Sequence, residues 1–126
     1  MERQTGGNLR AVPEVDERRE HQRVEPEGAT VEAVLDAGTA TFDIDNLSEG
    51  GALIAGKLAA DVGTIVDLRV HLPGASVIVL PAFVLRYVPR AGREYTAVKF
   101  LSRSETLANW ISDVVLQGLR AAFPEL

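Results

Sequence analysis

Through residues 65–72 the chain alternates, with Val66, Leu68, Val70 and Leu72 on one parity and Asp67, Arg69 and His71 on the other. A period of two sends successive side chains to opposite faces of an extended backbone, so this run predicts a strand with one buried face. The same alternation fills residues 39–45, where Ala40, Phe42 and Ile44 interleave with Thr41, Asp43 and Asp45. Residues 30–35 read as a shorter strand, ended by the turn formers Asp36-Ala37-Gly38. Residues 52–55 form a short apolar run, 56–63 a loop, and Pro73-Gly74 a turn. Residues 76–88 are rich in β-branched side chains. Pro81 inside that run predicts a bulge or an edge position, because proline brings no N–H to a ladder. Residues 89–93 predict another turn and residues 95–100 a last strand.

After residue 101 the period changes. Ser102-Arg103-Ser104-Glu105 fits a capping box, with Ser102 as the cap and Glu105 three residues on. Leu107, Ile111, Val114, Val115 and Leu119 then recur at helical spacing, which predicts a helix of about 17 residues packed by its apolar stripe. Trp110 falls beside that stripe and reads as packing. Several short strands followed by one helix make the chain mainly β, a closed or partly closed antiparallel barrel with a C-terminal helix.

Residues 1–22 differ again, with Gly6, Gly7 and Pro13, many charges and few apolar residues. Such a segment buries too little surface to offset its ordering entropy, which predicts a mobile arm. The whole chain of 126 residues suits one domain. Its 13 Lys and Arg against 18 Asp and Glu give a net charge of −5, which argues against DNA or RNA, where many phosphates must be neutralised together. A local arginine cluster can still hold a small anion. Without cysteine, disulfides, thiolate nucleophiles and thiolate metal sites are excluded, and His21 and His71 stand in no metal-ligand spacing. No apolar run reaches membrane-spanning length and the polar N-terminus is no secretory signal, so the expected location is cytoplasmic.

Two constellations carry candidate chemistry. The first is Arg18-Arg19-Glu20-His21-Gln22-Arg23, between the arm and the first strand. A guanidinium is planar and permanently charged; it can fork onto a phosphate or a guanine edge and stack on a base. Taken alone, the run also fits a solvated arm of mixed charge, since Asp16, Glu17, Glu20 and Glu25 surround it. The second is Asn46-x-Ser48-x-x-Gly51, read as a turn over residues 46–51. Asn46 and Ser48 can meet a purine edge or simply stabilise a turn, and Gly50 and Gly51 permit positive φ and close approach of a ligand. Asp43 and Asp45, on one strand face, read as exposed polar surface in the absence of a third ligand. No phosphate loop, Ser-His-Asp set or metalloprotease helix is present, and the chain is not read as an enzyme.

Together the two constellations are far more specific. Arg19-x-x-x-Arg23 before the first strand, then Asn46-x-Ser48-x-x-Gly51 after the second, resembles the PilZ domain family, and the likeness runs over about residues 17–120. The resemblance implies a six-stranded antiparallel barrel that binds cyclic di-GMP as its ligand, with no cofactor. It implies Arg19 and Arg23 as a clamp on phosphate and guanine, Asn46 and Ser48 as base-edge contacts, Gly50 and Gly51 as the backbone that admits the ligand, and Arg18 as an aid to a stacked ligand pair. The implied domain division is a flexible arm over 1–16, the PilZ domain over 17–121 with its arginine loop at 17–23 and helix at 102–121, and a tail over 122–126. The expected role is a receptor whose arginine loop changes conformation on binding and signals to a partner protein. Motility is among the processes such a receptor serves, and a homodimer is compatible. The alternative is a PilZ-like adaptor that binds no nucleotide. A barrel for single-stranded nucleic acid is opposed by the net charge and the scarcity of aromatics.

Overall fold

The computed structural model describes residues 23–122; the expected arm, most of the arginine loop and most of the tail lie outside the described residues. Among these residues six strands, β1 (Thr30–Leu35), β2 (Gly38–Leu47), β3 (Gly51–Ala55), β4 (Ile65–His71), β5 (Ile78–Arg90) and β6 (Arg93–Phe100), precede one helix, α1 (Glu105–Ala122). All pairings are antiparallel and close a barrel in the order β1-β2-β3-β6-β5-β4. The expected barrel with a terminal helix is the observed one.

The order resolves into two meanders, β1-β2-β3 and β4-β5-β6, joined by two seams between strands distant in sequence, β3–β6 and β1–β4. Each meander is apolar on one face and finds cover only against the other. On β4 the alternation holds as expected: Val66, Leu68 and Val70 point inward and Asp67, Arg69 and His71 outward. Ile78, Leu80, Ala82 and Val84 of β5 and Val98 and Phe100 of β6 complete the core with Val31, Ile44 and Ile54. Each large side chain so buried contributes roughly 1.5–3 kcal/mol.

Among the described residues one polar side chain, Thr96, is fully buried. Its hydroxyl donates to the Gly56 carbonyl at 2.6 Å and accepts the Leu58 N–H at 3.2 Å, so both of its hydrogen-bonding functions are used. The Tyr87 hydroxyl meets the carbonyls of Leu58, at 2.6 Å, and Ala60. These two residues of the second meander therefore hold the crossover that enters it.

Pro81 makes neither a bulge nor an edge. It sits opposite Asp67 inside β5, which has neighbours on both sides. Its carbonyl accepts the Leu101 N–H at 2.9 Å, so its nitrogen faces the same side, just past Phe100 where β6 ends, and the bond it cannot make falls at the end of the ladder rather than within it. The turn expected at 89–93 narrows to two residues, Ala91 (φ 53°) and Gly92 (φ 78°), because β5 runs on through Arg90. Positive φ at both central positions matches the right-handed twist of a tight hairpin.

The helix starts later than the capping box suggests. Ser104, not Ser102, is the cap: its Oγ accepts the Leu107 N–H at 3.1 Å and its carbonyl the Ala108 N–H at 3.0 Å. The chain must turn a corner after Phe100, with Leu101 still tied to Pro81, and residues 102–103 span it. Leu107, Ala108 and Ile111 are buried against the barrel end, and Trp110 donates its Nε1–H to the Pro73 carbonyl at 2.9 Å. The packed face fades toward the C-terminus, where Leu116 and Leu119 are each 45% exposed, so Leu119 does not pack as its spacing implied.

Three substitutions test these local features. Ala91→Gly removes a left-handed alanine and raises stability by about 0.5–1 kcal/mol, read as a higher thermal midpoint. Ser104→Ala lowers stability by about 1 kcal/mol in urea denaturation, whereas Ser102→Ala leaves the midpoint unmoved; the opposite ranking would restore Ser102 as the cap.

Candidate functional site

Strand β2 does not stop at Asp45 as the sequence pattern implied. Its register against β3 runs Asp43↔Ala55, Ile44↔Ile54, then Asn46↔Leu53 and Leu47↔Ala52, which leaves Asp45 as the extra residue of a bulge. The bulge reverses the parity of the residues after it. Ile44 points inward, Leu47 is wholly buried, and Asn46 is turned to the outer face beside Leu53. Strict alternation would have driven Asn46 into the core. A bulge that re-aims one side chain is a recurrent device beside functional sites.

The turn is accordingly shorter than residues 46–51. Ser48 holds it: its N–H donates to the Gly51 carbonyl at 2.9 Å, and its Oγ accepts the N–H groups of Gly50 and Gly51, both at 3.2 Å. The same hydroxyl lies 3.3 Å from the Gly51 carbonyl as a donor. The Gly50 carbonyl in turn accepts the Phe100 N–H at 2.8 Å, tying the turn to the end of β6. Neither Gly50 nor Gly51 adopts positive φ, contrary to the expectation from sequence. Gly51 answers a different need. A Cβ there would lie well inside van der Waals contact with the Val98 carbonyl oxygen, so glycine lets β3 approach β6.

Arg23 is the one arginine of the first constellation within the described residues; Arg18, Arg19 and His21 lie outside them. Val24 forms an antiparallel bridge with Leu47, with N–H to carbonyl distances of 2.8 Å in both directions. In that register Arg23 stands opposite Ser48, and it is exposed. The fold therefore brings Arg23, Asn46, Ser48, Gly50 and Gly51 to one rim of the barrel.

The outer face beside this rim crosses the β3–β6 seam. One row of register partners reads Asn46, Leu53, Ala97, Arg86, and the next reads Gly51, Lys99, Phe83. At the far border Arg90 stacks over the Tyr95 ring, 4.7 Å from its centroid, and pairs with Asp45 at 3.1 Å. That pair occupies Asp45, and among the described residues no group of three or more His, Asp or Glu side chains is placed to hold a metal ion. His71 is exposed on β4, as expected. A cleft of about 700 Å³, lined by Leu35, Leu58, Ala60, Val62, Ile65 and Tyr87 among others, lies at the opposite end of the barrel. Sequence reasoning passed over Arg86 and Lys99. The only signal for Arg86 was Leu85-Arg86-Tyr87, where strict alternation would have placed Arg86 inward.

The chain matches the PilZ domain family over residues 17–117 and belongs to that family. Solved structures share the fold. Escherichia coli YcgR in complex with c-di-GMP superposes with a TM-score of 0.68 at 19% identity, covering 86% of this chain and 49% of that one. The K. pneumonia MrkH–c-di-GMP complex gives 0.67 at 17% identity, covering 85% and 57%. The Bacillus subtilis inhibitor of motility MotI/DgrA gives 0.66 at 17%, covering 79% and 52%. The chain thus spans about half the length of these proteins. A search of curated protein sequences gives no significant match. No helix among the described residues is long and apolar enough to cross a membrane.

The contact beneath Gly51 predicts a result without any ligand. Gly51→Ala lowers the stability of the free protein by about 2 kcal/mol through overpacking against the β6 backbone, read as a lower urea midpoint. An unchanged midpoint would mean that the seam has slack and that glycine serves only ligand access.

Proposed function

We propose that this protein is a cyclic di-GMP receptor that acts on a partner protein and catalyses no reaction of its own. The observation that carries the proposal is the Val24–Leu47 bridge, which sets Arg23 beside Asn46 and Ser48 on a chain of the PilZ family. In this reading Arg23 and Arg19 fork onto the phosphates and a guanine edge, with Arg18 supporting them or a second, stacked ligand. Asn46, aimed outward by the Asp45 bulge, meets a guanine edge. Ser48, Gly50 and Gly51 act mainly by shaping the rim, since the Ser48 hydroxyl is already engaged by the turn. The YcgR and MrkH complexes with c-di-GMP support the choice of ligand.

The energetics are adequate. A hydrogen bond to a charged group contributes roughly 1.5–3 kcal/mol net, and micromolar affinity needs about 8 kcal/mol. Two forked arginines with base stacking reach that level after the ordering of the arginine segment is subtracted. Joining that segment to the barrel through the ligand would alter the surface offered to a partner, which is the proposed signal.

A second reading draws on a specific observation. Ser48 and Gly51 each have a sufficient structural reason in the turn and the seam, which fits an adaptor that binds no nucleotide. Calorimetric titration with cyclic di-GMP, with GTP and cyclic di-AMP as controls, separates the two. The receptor gives saturable micromolar or tighter binding to the guanine dinucleotide alone. Arg23→Ala then loses at least tenfold in affinity with an unmoved apo thermal midpoint, because the side chain is exposed. Absence of binding at high ligand concentration would select the adaptor.

A further inference from the structure

We infer that Arg86, assisted by Lys99, is a phosphate-binding residue at the far end of the ligand face that Arg23 and Asn46 begin. This role rests on the nucleotide-binding reading and extends the site across the seam to the second meander.

The first support is how the backbone places Arg86. β5 carries its own bulge: register passes from Val84↔Val98 to Arg86↔Ala97, leaving Leu85 as the extra residue. Val84 is buried, so strict alternation would turn Arg86 into the core; the bulge turns it outward instead. Asn46 is re-aimed in the same way by the Asp45 bulge. The two re-aimed polar residues stand at opposite ends of one cross-strand row, Asn46-Leu53-Ala97-Arg86. Three strand spacings separate them, about 14 Å between Cα atoms at ~4.8 Å each. Between them lie only Leu53 and Ala97, a low apolar strip on which a planar base can rest with polar groups at either end.

The second support is charge. Among the described residues most other strand cations are engaged: Arg90 with Asp45 at 3.1 Å and Arg69 with Glu32 at 3.2 Å; Arg93, without such a pair, stands at the β5–β6 hairpin, away from the row of Asn46 and Arg86. Among the described residues, no carboxylate lies within ion-pair distance of Arg86 or Lys99, and both are exposed. On a chain of net charge −5, two such cations on neighbouring register rows of one face make a local positive field. Two acids flanking Asn46 and Ser48 in the chain are already paired, Asp45 with Arg90 and Glu49 with Arg103 at 3.8 Å. A dinucleotide held at Asn46 by one base extends along the strip toward these cations, and a guanidinium suits the phosphate it meets there.

The test uses the full chain and cyclic di-GMP, titrated at several salt concentrations. Arg86→Gln is expected to weaken binding at least tenfold and to flatten the dependence of affinity on salt; Arg86→Lys, which keeps the charge, stays within about threefold. Lys99→Gln weakens binding by a smaller factor. Arg69→Gln, which removes a charge from the opposite side of the barrel, leaves affinity unchanged. All variants should keep the apo thermal midpoint, since each side chain is exposed. If the wild type binds and Arg86→Gln binds as tightly, this inference is overturned and the receptor reading stands. Equal losses in Arg86→Gln and Arg69→Gln would also overturn it, as an effect of net charge. If the wild type does not bind at all, both readings fall.

Discussion

The structure depends on the seam between β3 and β6. Each three-stranded meander forms from adjacent hairpins but leaves its apolar face uncovered, and only contact with the other meander removes that face from water. The seam demands that two backbones approach closely, which Gly51 allows by having no side chain. It also demands that the crossover be held while the chain passes from one meander to the other. Thr96, fully buried on β6, does this by bonding both Gly56 and Leu58. Packing, turn and crossover are thus conditions on one line of contact.

The candidate site lies on that same line. Asn46 and Leu53 belong to the first meander, Ala97, Lys99 and Arg86 to the second, and the Ser48 turn is tied to Phe100 across the seam. The two bulges have a common logic. Closing a barrel requires local twist and extra residues, and each extra residue reverses which face the next side chain serves. Here both reversals bring a polar group to the outer surface. Fold closure and site construction therefore use the same irregularities.

The regular parts of this fold were legible from residue pattern because one buried face imposes a strict period. β4 is the clearest case, with Val66, Leu68 and Val70 buried as the alternation required. The PilZ signature was legible too, because its spacing joins two segments that the Val24–Leu47 bridge brings side by side. The irregular parts were not. Nothing local marks Asp45 or Leu85 as bulged, since the extra residue is set by registers between distant strands. Ser102, with Glu105 three residues on, fitted the capping box where Ser104, with Leu107 there, did not, yet the corner after Phe100 makes Ser104 the cap. Pro81 signalled an edge, yet the barrel places its missing N–H at the end of the β5–β6 ladder, where Leu101 follows the last paired residue of β6. Gly51 was recognised as special, but the positive φ expected of it is absent, and a neighbouring backbone requires the glycine instead.

The two-meander order bears on how the molecule comes into being. Hairpins close between near neighbours and form early, whereas both seams join strands far apart along the chain and must await loop closure. The candidate face has no existence in either half alone. During synthesis it appears only after β6 has emerged to Phe100, and any partly folded species that keeps its hairpins but parts its seams has lost the site while retaining most of its strands.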